Sequence, residues 1–241
     1  MDAKRRQYAS ALTNAAIFSQ LSAETLGRLA AGTTETAFRR GSVVFGRGTS
    51  ATGIYVVTSG QLKLCLETPQ GAEHVVELLQ PDDSFGEAEL LTDRSHRVTA
   101  TAVTDCRLLH IGRQALMAEL ELDKAFARRV IGTLSERLYR QTSELENVLF
   151  LKATGRVARF ILDRLKLHGA RTSRRVALPV RKGLIASHLN MTQEHFSRTL
   201  RELTTTGLIR VDGTMVDIIE VDKLRDVAGL MPAPVYLQAA E

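Results

Sequence analysis

Cysteine is scarce in this sequence. Only Cys65 and Cys106 occur among 241 residues, and they stand far apart. That leaves no disulfide framework and no clustered cysteine set for a metal or an iron–sulfur centre. A chain with this cysteine usage fits a reducing cytoplasm. Long apolar runs are missing too: no stretch reaches the roughly 18 residues of a membrane-spanning helix, so no membrane partner is expected. The first residues, MDAKRRQYASALTNAAIF, are basic but carry no long apolar core or cleavage site, so no signal peptide is expected. Catalytic signatures are lacking as well. There is no P-loop, no G-x-S-x-G, no H-E-x-x-H and no dinucleotide fingerprint, and an enzyme is not expected.

What is present is unevenly charged. Residues 1–151 hold 17 Lys and Arg against 18 Asp and Glu, whereas residues 152–241 hold 15 against 9. Within 152–212 the balance is 13 to 4. Such asymmetry points the C-terminal part at a polyanion, the alternative being a basic solvated face.

The hydrophobic period also changes along the chain. Residues 34–111 contain the short runs SVVF, GIYVV, QLKLCLE, HVVELL and RLLHI, separated by turns at Gly41, Gly48, Gly53, Gly60, Gly71 and Pro81. Evenly spaced short strands imply a sandwich, jelly roll or barrel. A helix is expected over 22–31, with Ser22 as its N-cap and Glu24 in its first turn. From Lys124 to Leu151 the pattern is helical. Ile131, Leu134, Leu138, Gln141, Leu145 and Val148 are spaced 3, 4, 3, 4, 3, which is a heptad seam. A seam of this length needs a partner, and a second copy of the chain is the expected one. Gln141 interrupts it, as a register-setting polar residue or as a ligand contact.

Further on, a helix from Thr154 to Leu167, the loop GARTSRR and a strand RVALPV are expected. RKGLIASHL, Asn190-Met191 and TQEHFSRTLRELTTTGLI then read as helix, tight turn, helix. Asn190 tolerates a left-handed turn and Thr192 is a good N-cap. Leu184, Ile185, Leu189, Phe196, Leu200 and Leu203 form the expected shared core. GLIRVDG and MVDIIEV make a hairpin, the wing of a winged helix-turn-helix.

This order of parts resembles the CRP/FNR superfamily of bacterial transcription regulators. Three motifs carry the resemblance: FGEAELL…RSHRVTA, ATGRVARFILDRL and IASHLNMTQEHFSRTLRELTTTGLI. It implies an α+β chain with three parts. These are a cyclic-nucleotide-binding-type β-roll (jelly roll) sensing an effector over 1–123, a dimerisation helix over 124–151, and a winged helix-turn-helix DNA-binding domain over 152–241. The implied function is sequence-specific, effector-controlled DNA binding by a homodimer in the cytoplasm, with RNA polymerase as a further partner.

The family sets the second helix of the motif into the major groove. Its readers would be Thr192, Gln193, Glu194, Ser197 and Arg198. Arg pairs bidentately with guanine O6/N7, Glu accepts from cytosine N4, and Ser reaches either kind of edge. A plain i,i+4 salt bridge between Glu194 and Arg198 is the alternative. The Glu-x-x-Ser-Arg pattern resembles the FNR branch, whose operators are palindromes of TTGAT-like half-sites. The CRP branch carries Arg just before the Glu, where Gln193 stands here.

In cyclic-nucleotide members the Gly-Glu and Arg-Ser pairs hold the ligand. By that likeness Gly86 lets backbone approach, Glu87 accepts from the ribose 2′-hydroxyl, Arg94 pairs with the cyclic phosphate and Ser95 adds a donor. Gln141 and Thr142 align with the residues at the base. Cyclic AMP is then the first effector to consider. The rivals are haem, with His74, His96, His110, His168, His188 and His195 as candidate ligands at no diagnostic spacing, and no effector at all, with Glu87 and Arg94 as a local structural pair.

Overall fold

A computed structural model describes residues 2–68, 71–167 and 174–230. By packing, the chain falls into two units, 1–139 and 140–241. That division lies inside the long helix rather than at its ends.

The first unit begins with α1 (Ala3–Leu12), a 3-10 turn (Ala16–Phe18) and α2 (Ala23–Ala31). Ser22 caps α2 as the sequence predicts, its hydroxyl accepting from the Thr25 amide at 3.1 Å. Eight strands follow: β1 (Thr33–Phe38), β2 (Val43–Phe45), β3 (Gly53–Ser59), β4 (Leu62–Glu67), β5 (Glu73–Leu79), β6 (Ser84–Phe85), β7 (Thr99–Ala102) and β8 (Cys106–Gly112). They form two antiparallel sheets in the orders β1-β8-β3-β6 and β2-β7-β4-β5. The pairing of β4 with β5 shifts register between Leu64 and Cys65, a bulge, and both residues are buried. Phe45, Val57, Leu62, Leu79, Phe85 and Leu108 form one core.

Three more helices belong to this part of the chain: α3 (Glu87–Thr92), α4 (Arg113–Leu122) and the long α5 (Lys124–Phe150). A second core gathers Leu12, Phe18, Leu29, Ile54 and Ile111 around Phe126 and Val130 of α5. The start of α5 is tied down. Asp123 accepts from the amides of Ala125 and Phe126 at 2.8 and 3.2 Å, and its other oxygen accepts from the Thr25 hydroxyl at 2.6 Å. Beside it, Arg28 grips the buried Glu119 with two bonds of 2.7 Å.

Not every seam residue has the same surroundings. Leu134 packs on the core of its own unit. Ile131, Leu138 and Leu145 are 65, 66 and 58% exposed, and Val148 is exposed too. Gln141 is also exposed.

The second unit holds α6 (Ala153–Leu167), β9 (Arg175–Ala177), α7 (Lys182–His188), α8 (Gln193–Thr205), β10 (Ile209–Asp212), β11 (Met215–Ile218) and α9 (Val221–Val227). β10 and β11 make the expected hairpin, and β9 extends it into an antiparallel sheet of order β10-β11-β9. Val157, Ile161, Ile185, Phe196, Leu200, Leu203, Val216 and Leu224 share one core. Asn190 takes the left-handed turn, at φ 54°. Four helices were not anticipated: α1, α3, α4 and α9. Each is short, and the last three abut strands or turns that dominate the local pattern.

Candidate DNA-reading face and effector site

α8 presents an apolar stripe, Phe196, Leu200 and Leu203, to the core of the second unit, with Thr199 buried beside it. The remaining face is polar. Thr192 begins the helix, and its hydroxyl accepts from the His195 amide at 3.2 Å. Gln193 turns toward α7: its Oε1 lies 2.7 Å from where a Cβ on Gly183 would stand. Glycine at 183 thus leaves room for that amide. Of the five predicted readers, Thr192 and Gln193 therefore engage their own motif. Glu194 and Arg198 are exposed, and neither side chain makes a hydrogen bond or ion pair among the described residues. The i,i+4 salt bridge is not formed. Ser197 sits half-buried beside them. A capped helix with a free carboxylate and a free guanidinium on one face is able to accept from and donate to base edges.

In the first unit, Gly86 caps α3 at φ 92°, a left-handed conformation that glycine adopts without strain. A Cβ there would meet the Gly53 carbonyl at 3.3 Å and His96 Cε1 at 3.8 Å. The next residue, Glu87, is buried. Its Oε2 accepts from Arg137 of α5 at 3.1 Å, while Oε1 has no hydrogen-bond partner. Arg137 also pairs with Glu77 and reaches the Ser84 carbonyl at 3.4 Å. Burial pushes the Glu87 carboxyl above its usual range, against the pull of Arg137. Burial also works against the Arg137 charge, but Glu77 and Glu87 outweigh it and hold the proton more tightly.

Arg94 and Ser95 are not brought to Glu87. Both are exposed, and Ser95 bridges to Ser50. The reason is the turn that ends α3. Asp93 is left-handed at φ 56° and the Arg94 amide closes back on the Glu89 carbonyl at 2.9 Å, which sends the next side chains outward. His96 is the residue that turns in. It stacks on Phe45 with centroids 3.6 Å apart, and its Nδ1 lies 4.0 Å from Glu89. Burial lowers its pKa. The expected local pair of Glu87 and Arg94 is therefore replaced by Glu87 and Arg137, which sequence reasoning missed. Arg137 falls between two seam residues and carries no motif. Its one signal was a cation on the long helix four and five residues before Gln141 and Thr142. Those two are exposed and belong to the second unit.

The site fits a cyclic nucleotide in part. The buried Glu87 Oε1 is an acceptor suited to a sugar hydroxyl. The inward cation, Arg137, is already engaged by two carboxylates. Among the other histidines, His110 meets the Thr52 hydroxyl at 3.1 Å, His74 and His188 are half-buried, and His195 is exposed. His168 lies outside the described residues. No group of three His, Cys, Asp or Glu is set to hold a metal ion among the described residues.

Residues 35–123 match the cyclic nucleotide-binding domain, and residues 155–227 match the Crp-like helix-turn-helix domain. The nitrogen fixation regulation protein FixK of Azorhizobium caulinodans is 31% identical over 73% of this chain and 71% of its own. A CRP-like cAMP-activated global transcriptional regulator of Mycobacterium tuberculosis is 26% identical over 88% of this chain and 96% of its own. The solved structure of FixK2 from Bradyrhizobium japonicum shares the fold, with a TM-score of 0.74 at 24% identity over 84% of this chain and 99% of that one. The chain belongs to the CRP/FNR superfamily. It is a DNA-binding transcription regulator and not an enzyme, and the Crp-like regulators act as dimers. Among the described residues no helix is long and apolar enough to cross a membrane.

Proposed function

We propose that the protein is a cytoplasmic homodimer that reads a palindromic operator of TTGAT-like half-sites and contacts RNA polymerase there. Its roll takes a small effector, a cyclic nucleotide such as cyclic AMP standing first. The observation that carries the DNA reading is the pair Glu194 and Arg198, exposed and uncommitted on a capped helix of a winged motif. Ser197 and Arg198 are the readers to test first, with Thr192 and Gln193 shaping the helix start. The effector reading is supported by the cyclic nucleotide-binding match and by the M. tuberculosis relative described as cAMP-activated. It is supported too by the unpartnered buried Glu87 Oε1. Arg94 would bring the phosphate's counter-charge by swinging inward from the surface. The exposed Ile131, Leu138, Leu145 and Val148 support α5 as the dimer seam.

The test is a DNA titration at fixed salt, for wild type and Arg94→Leu, each with and without cyclic AMP. Nucleotide should tighten wild-type binding and leave the variant at its basal level. If wild type ignores the nucleotide, the cyclic AMP reading fails. A Soret band in the purified protein would then point to haem, and its absence to regulation without an effector.

A further inference from the structure

A cavity lies within the second unit. It measures about 90 Å³ and sits where the last turns of α5 meet α6 and α7. Arg156, Arg159 and Asp163 line it from α6, Glu144 from α5 and His188 from α7, with Phe160 as an apolar wall. Arg156 and Arg159 are three apart on α6 and so share a face.

Both guanidinium groups are incompletely satisfied. The Nε atoms of Arg156 and Arg159 are out of solvent and have no hydrogen-bond partner. Arg159 Nε stands 3.4 Å from Asp163, within ion-pair range but without hydrogen-bond geometry. An arginine cannot shed its proton, so each buried Nε–H demands an acceptor. Such orphans are rare in folded proteins and call for an occupant. The occupant must offer oxygen acceptors, because the unmet groups are donors. It must be small, since the space holds a few waters or one compact ion. It must not be a polyanion, because Glu144 and Asp163 on the wall repel one. A compact oxyanion meets all three demands, and its paired oxygens match the edge of a guanidinium.

We propose that this cavity binds a small oxyanion, a phosphate or a carboxylate, and that its occupancy bears on the helix-turn-helix through α7. Coupling to DNA must then be reciprocal: an anion that changes operator affinity is itself bound differently on DNA. None of this rests on the roll or its effector.

The experiment uses the full-length protein at constant ionic strength, balanced with chloride. Inorganic phosphate, then acetate, is titrated while heat of binding and thermal unfolding are followed. Saturable binding of either supports the site, and the better of the two names the source. Arg159→Lys keeps the charge but loses the fork. It should weaken binding about tenfold, as the loss of one charge-assisted hydrogen bond does. Arg156→Gln should do the same if it folds, and Arg159→Lys carries the test if it does not. Arg198→Ala should bind the anion as wild type does. Binding lost in Arg198→Ala but kept in Arg159→Lys would place the anion on the DNA-reading face and overturn the proposal. So would the absence of any saturable response, which would leave the cavity to water.

Discussion

At the scale of single residues, the molecule turns on where each charge is held. Arg198 is exposed and free of partners, so its head is available to a base edge. Arg198→Ala should cost about 1–3 kcal/mol on the operator and relax preference at one G·C pair, as read by competition among single-base variants. An equal loss on all sequences would make Arg198 a phosphate contact instead. Arg137 is the opposite case, a half-buried cation holding two carboxylates. Arg137→Leu leaves Glu87 buried and unpaired, and removing one member of a buried pair costs about 3–5 kcal/mol. Urea unfolding checks this. The pH trend has a definite sign. The folded Glu87 pKa is raised above 4.5, so stability from this group is present below that value and lost as pH rises through the folded pKa. Arg137→Leu should steepen that loss, and Glu87→Gln in the same background should remove it.

At the scale of elements, α5 is the decisive one. It spans 27 residues, about 40 Å, and uses its faces differently along that length. Phe126 and Val130 anchor it to its own unit, and Ile131, Leu138 and Leu145 remain exposed. Leu138→Lys should give monomers by light scattering without loss of helix by circular dichroism. A variant that stays dimeric would put the interface elsewhere. The cap of α5 responds to acid. Hydrogen bonds from Thr25 above all, and from the Phe126 amide, hold the Asp123 carboxyl below its usual range. Its contribution is therefore present above the unfolded value and lost as pH falls through the folded one. Thr25→Val should lower the thermal midpoint at neutral pH and flatten its decline in acid.

At the scale of the whole molecule, the proposed dimer would bring two copies of α8 to two half-sites about one helical turn apart. Selection from random DNA should return a palindrome, and a single unpaired half-site would contradict a dimeric reader. If a cyclic nucleotide tightens DNA binding, DNA must tighten nucleotide binding by the same factor, which calorimetry with and without operator can measure.

The sequence by itself determined the order of parts, because the two hydrophobic periods and the helix-turn-helix signals are local. Ser22, Asn190 and Thr192 do in the fold what their side chains predict. It also determined the DNA-binding class, since the cap, the turn and the apolar stripe of α8 lie within one short segment. The tertiary structure alone decided which side chains meet. Arg94 and Ser95 stand seven and eight residues after Glu87, yet a left-handed turn at Asp93 carries them outward. Arg137 stands 50 residues after Glu87 and closes on it because α5 packs back across the roll. Leu134 looked like its seam neighbours and is drawn to its own core. In each case the deciding contact is long-range or depends on a backbone angle, and neither is written in the local spacing of residues.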